Sequence, residues 1–352
     1  MHIMKTVQIL LMCSVLLVLT GGMQTFAQGG NSLFDAAARN DAMMAAQLIA
    51  AGADVNAKDK DGNTPLHEAA GNNADQVAAL LIKAGADVNA KNKDGWTPLY
   101  FTAIDDASDV ATQLIAAGIN VNTKDNKGRT PIIYAAMKNA EKVLGQLVAA
   151  KADVNTKSNS SLTPLDYAAG ENATNAVALL IKAKADINAK DNNGWTPLFY
   201  TVSKDAETVA TQLIAAGVDV NLKDNKGRAP LIYAAMKNAD KVVARLISAG
   251  ADINVQSNNG LTPLDYAASE DAGNAAAQLI KAKADINAKE VNGWTALHYA
   301  AAKDAQSVAT QLIAAGADVN AKDNDGNTPL KIADVEHSDA VAKLLKNAGG
   351  HE

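Results

Sequence analysis

Apolar residues in this chain fall on short helical faces that return at a fixed interval. Val77, Leu80 and Leu81 lie on one side of a helix, as do Val110, Leu114 and Ile115 one interval later, the spacing of an amphipathic helix. The interval is 33 residues, and its clearest marker is polar: Thr64, Thr97, Thr130, Thr163, Thr196, Thr262, Thr295 and Thr328 keep it or multiples of it, with Ala229 in the one gap. Pro follows at every unit except Ala296. Thr before Pro predicts a helix start. The hydroxyl accepts an unpaired backbone N–H, and proline at the first helical position gives up a donor that would have no partner anyway. In two units an acid, Asp166 or Asp265, stands three residues after the cap, where it suits the helix dipole.

Each of these first helices runs through a pair of small residues such as Ala69-Ala70 or Ala135-Ala136 and meets an Asn or Asp at 73, 106, 139, 172, 205, 238, 271 and 304. Outside glycine these types tolerate a left-handed backbone best, so the chain is predicted to reverse there. The second helix carries the apolar stripe and stops at Gly52, Gly85, Gly118, Gly217, Gly250 or Gly316, where positive φ is needed. Lys151, Lys184 and Lys283 hold that place in three units, at an expected cost of ~1 kcal/mol each. Turn chemistry, as from Asn122 to Gly128, leads to the next Thr.

Thr64-Pro65-Leu66-His67-Glu68-Ala69-Ala70 followed by Gly85-Ala86-Asp87-Val88-Asn89 resembles the ankyrin repeat, and the likeness extends from Asn31 to the C-terminus. The departure is Asn/Asp-Ala between the helices where the family has Gly-His. The resemblance implies an all-α fold with short β-hairpin loops, one continuous ankyrin-repeat α-solenoid. The repeats are expected at 28–60 as an N-terminal cap without Thr-Pro, then at 61–93, 94–126, 127–159, 160–192, 193–225, 226–258, 259–291 and 292–324, with a C-terminal cap at 325–352. Such units cannot bury their apolar faces alone and share one core.

The first residues change the picture of location. Lys5, the apolar run Val7 to Leu19 and the small residues around Thr25-Phe26-Ala27 read as a cleaved secretory leader over 1–27. The run is shorter than the ~20 residues that span a bilayer. A periplasmic or secreted protein is expected, without membrane insertion after cleavage. Cys13 is the single cysteine, so the processed chain holds no disulfide, thiol nucleophile or zinc-thiolate site. A net charge of −6 with no basic run argues against nucleic acid and anionic membrane surfaces.

A longer period of 99 relates Trp96, Trp195 and Trp294, Arg129 and Arg228, and Leu162 and Leu261, so the array grew by copying blocks of three repeats. All stand directly before the cap position. The resemblance implies that this place, and the two residues after the alanine pair, face a concave groove. Trp96, Arg129, Leu162, Trp195, Arg228, Leu261 and Trp294, with Met137, Lys138, Met236 and Lys237 below them, are therefore the expected partner-binding residues. Large apolar side chains and Arg are what interfaces concentrate, although block copying reproduces every residue, used or not. Tyr134, Tyr167, Tyr200, Tyr233, Tyr266 and Tyr299, one place before the alanine pair, are expected in the core.

No catalytic constellation emerges. His67 and His298 hold one motif slot seven units apart, too far to share a metal. Asp59-x-Asp61-Gly62 and Asp323-x-Asp325-Gly326 lack the first and last ligands of a calcium loop. The expectation is a monomeric, non-enzymatic scaffold for a protein partner, without cofactor or metal. The alternatives are a protective companion of an exported enzyme and a secreted effector acting on host proteins.

Overall fold

The computed structural model describes residues 32–352, so the expected leader lies outside the described residues. Twenty α-helices follow one another as ten pairs, from Leu33–Arg39 with Ala42–Ala50 to Pro329–Val335 with Asp339–Asn347. No β-strand occurs among the described residues; the fingers between pairs are closed by turn bonds, for example Asp125 N–H to the Arg129 carbonyl at 2.9 Å.

The reversals act as the sequence predicts, whereas the expected cap bond from the threonine hydroxyl is not made at Thr97, Thr130 and Thr196. All eight Asn and Asp residues between the paired helices have φ between 46° and 58°. Asn40 and His337 do the same in the first and last pairs, at 51° and 57°. Lys151, Lys184 and Lys283 adopt φ of 62°, 62° and 66°, a conformation that a side chain opposes.

The reversing residue also reaches forward into the next repeat. The Asp106 carboxylate accepts the Val143 N–H at 2.9 Å, and Asp304 accepts Val341 N–H at 2.9 Å. Eight of nine junctions carry this bond, which satisfies an N–H at the start of the second helix that has no partner within it. Asn172 and Val209 make the one junction without it.

First helices pack on first helices and second on second. Alanine pairs such as Ala69-Ala70 and Ala135-Ala136 are wholly buried, and their small size lets neighbouring backbones approach. One apolar cluster runs from Leu33 to Leu345. The exception to the regular helices lies at 197–204, where Pro197–Tyr200 is α-helical and Thr201–Lys204 is a 3-10 turn. Thr201-Val202 stand there in place of the alanine pair, and both are buried. Thr102 holds the first of these places in the unbroken helix Pro98–Asp105, so the bulkier residue particular to this unit is Val202, where the backbone tightens.

Candidate functional site

The fingertip ladder is built around the first residue of each finger, an acid in six of the nine and Asn92, Ser158 or Ser257 in the others. Asp125 Oδ1 accepts the Lys127 and Arg129 N–H groups, both at 2.8 Å, and so folds the tip. Its Oδ2 accepts Arg129 Nε at 3.2 Å, the Tyr134 hydroxyl at 2.9 Å and, from the preceding finger, Trp96 Nε1 at 3.2 Å. The guanidinium of Arg129 lies 4.5 Å from the Tyr134 ring centre. Trp96 meets Tyr134 edge to face at 5.1 Å and stacks on Tyr100 at 5.9 Å. Charge, cation–π attraction and ring packing thus draw the side chains inward.

The Trp and Arg side chains expected to face the groove are drawn partly inward by this arrangement. Arg129 is only 6% exposed, because a carboxylate and a ring solvate its charge within the protein. In the next block Arg228 pairs with Asp224 at 2.8 Å and covers Tyr233 at 4.3 Å, leaving its side chain 15% exposed. Trp96, Trp195 and Trp294 are half-buried, as are Leu162 and Leu261. The tryptophans join one finger to the next, Trp96 through Tyr134 and Trp195 through Tyr233. In the third block Trp294 Nε1 bonds Asp323 at 3.1 Å, whereas Trp195 Nε1 makes no bond to the next finger and packs on Tyr233 at 4.7 Å.

The lower stripe is more open on its charged members. Met137 is buried, Lys138 and Met236 are half-buried, and Lys237 is exposed. Exposed Lys204 pairs with Glu171 of the preceding repeat. Tyr134, Tyr200 and Tyr233 are buried and Tyr167, Tyr266 and Tyr299 half-buried, while Tyr100, in the slot that His67 holds elsewhere, is wholly buried.

The titratable groups in the core serve the caps. Thr64 N–H donates to His67 Nδ1 at 3.0 Å, so the ring proton sits on Nε2 and donates to the Trp96 carbonyl at 3.0 Å. His298 repeats this with Thr295 and the Asn327 carbonyl. Burial lowers the pKa of both, that of His67 to about 4. Asp166 Oδ2 accepts the Thr163 N–H and hydroxyl, both at 2.7 Å, and Asp265 does likewise for Thr262. Burial pushes these carboxyls up, to about 7 and about 6, with the hydrogen bonds from the caps opposing it. Among the described residues no group of three His, Cys, Asp or Glu is placed to hold a metal ion, and no helix is long and apolar enough to cross a membrane.

Two polar ladders were not foreseen in the sequence. Asn56, Asn89, Asn122, Asn155, Asn188, Asn221, Asn254, Asn287 and Asn320 each accept a backbone N–H from the next repeat through Oδ1. Lys58, Lys91, Lys124, Lys157 and Lys190 each donate Nζ to the backbone carbonyl of the next lysine of the series. The signal was present as an Asn in every unit at one register, a polar type that turn chemistry alone does not require nine times over.

Helix pairs stacked in order, tied by backbone-directed side chains and joined by tightly folded fingers, define an α-solenoid of repeat units. A family model described as ankyrin repeats, in three copies, matches the chain in overlapping placements from residue 4 to residue 351. The chain belongs to the ankyrin-repeat family, whose repeats are in general protein–protein interaction modules. No curated protein is similar enough to add a relative.

Proposed function

We propose that this protein is a non-enzymatic scaffold that holds a protein partner along its concave groove and that it acts outside the cytoplasm. The observation that carries the binding role is the open stripe after the alanine pairs, where Lys138, Lys204, Lys237 and Lys303 stand on successive or alternate repeats beside half-buried Met236. Most of the side chains that recur in every repeat go to caps, ladders and core. Export rests on the leader-like residues 1–27 alone.

The test is affinity capture from envelope extract with the processed chain and with a Lys138→Glu, Lys237→Glu variant, alongside thermal melting of both. A defined set of captured proteins that is lost in the variant at unchanged melting temperature supports the reading. Capture that no groove substitution alters, or turnover of a substrate by the purified chain, removes it. The Trp/Arg ladder is a poorer place to begin, since its substitutions also loosen the joints between fingers.

A further inference from the structure

On the finger side of the array, the column that precedes Val-Asn or Ile-Asn is acidic at Asp54, Asp87, Asp153, Asp186, Asp219, Asp252, Asp285 and Asp318, and is amide only at Asn120. The lysine ladder runs alongside, each Nζ reaching forward to the next loop's backbone, and the loop that Lys91 reaches is the one in which Asn120 replaces the carboxylate. An open groove of about 580 Å³ lies there, lined by Asn89, Lys91, Asn120, Asn122, Thr123 and Lys124, a size suited to a small molecule.

The hydrogen bonds of the lining fix its polarity. Asn89 Oδ1 accepts Asn120 N–H at 2.9 Å, Asn120 Oδ1 accepts Asn122 N–H at 3.0 Å, and Asn122 Oδ1 accepts Asp153 N–H at 2.9 Å. With every Oδ1 committed to a backbone donor, the three Nδ2 groups are left as donors. Lys91 and Lys124 each spend one bond on a backbone carbonyl, at 3.3 Å and 3.0 Å, and an ammonium has three protons to give. The Thr123 hydroxyl turns away and donates to the Asn120 carbonyl at 2.9 Å. No carboxylate belongs to the lining; Asp87 shares the loop of Asn89 and Lys91, where its Oδ1 accepts the Asn89 N–H at 2.9 Å, and Asp153 stands in the next repeat.

We propose that this groove binds a small oxyanion, a phosphate, sulfate or carboxylate group, held by the Nδ2 amides of Asn89, Asn120 and Asn122 and the ammonium groups of Lys91 and Lys124. Charge-assisted donors of this kind are the strong ones for oxyanions. The site is on the finger side and independent of the protein-binding stripe.

The test is titration of the isotope-labelled full chain with inorganic phosphate, sulfate or acetate at fixed ionic strength, following the asparagine side-chain amide signals. Saturable shifts at Asn89, Asn120 and Asn122, with affinity in about the millimolar range, are expected, and the three anions rank the preferred group. Asn120→Asp restores the residue that the eight other members of this column carry, so it is compatible with the fold, and it weakens binding by about tenfold or more. Lys124→Gln weakens it in the same direction. Asp186→Asn recreates the constellation with Asn155, Lys157, Asn188 and Lys190 and adds a second set of saturable shifts. Shifts spread evenly over all the lysine-bearing loops, no saturation with any of the three anions, or Asn120→Asp binding as tightly as the parent would overturn the assignment.

Discussion

Thr163 and Thr262 cap helices whose third residue is an acid, and both halves of the reciprocal bond form. Thr97, Thr130 and Thr196 stand at the same register before Tyr100, Ile133 and Phe199, and their buried hydroxyls have no partner. At Ala229, which precedes Ile232 in the same arrangement, the hydroxyl is simply missing. Thr163→Ala or Thr262→Ala is therefore expected to lower stability by about 1–2 kcal/mol. Thr97→Ala, Thr130→Ala and Thr196→Ala should stay within about 0.5 kcal/mol of the parent. Urea denaturation midpoints of the five variants distinguish the two groups.

The same caps set the response to pH. Asp166 holds its proton more tightly folded than unfolded, so its contribution to stability is complete below the usual carboxyl value of 3.8 and is lost as pH rises through about 7. His67 has the opposite sign: its contribution is complete above 6.5 and is lost as pH falls through about 4. Between those limits the two oppose each other. Acidification from neutrality is expected to change the melting temperature of the parent little. Asp166→Asn should lose stability as pH falls toward 4, and His67→Asn should gain it, read by melting curves across that range.

At the scale of elements, the fingers are joined by one finger's tryptophan reaching the next finger's acid. Trp96→Phe removes the bond to Asp125 and is expected to cost about 1–2 kcal/mol, while Trp195→Phe, which breaks no such bond, should cost less; hydrogen exchange of the adjoining finger amides measures both. Helix starts, reversals and stops were legible because each depends on one residue's local chemistry, as with Thr-Pro or the left-handed Asn139. The inward turn of Arg129 was not, because it depends on Asp125, Tyr134 and a tryptophan some thirty residues earlier meeting in space. A ladder position looks alike in sequence whether its side chain faces solvent or a ring.

The molecule as a whole is one apolar core drawn out along a line, with contacts made only to neighbouring repeats. Its stability is therefore close to a sum of unit and interface terms, and the 33-residue period foretold this. The period also hid the exception, since Thr201-Val202 keep the register while adding bulk and a hydroxyl that donates to the Leu198 carbonyl at 2.7 Å. Limited proteolysis is expected to cut first between residues 200 and 206, and Thr201→Ala with Val202→Ala to protect that site by restoring the continuous helix.

The 3-10 segment interrupts the inner helix layer near the centre of the array, and the Asn172 link is missing at the same junction. Interfaces in series carry the same tension when the ends are drawn apart, so the softest one yields first. The Lys204–Glu171 pair still spans this junction, so a rod drawn from its ends is expected to part here first only once that ion pair is removed, leaving two arms of similar length.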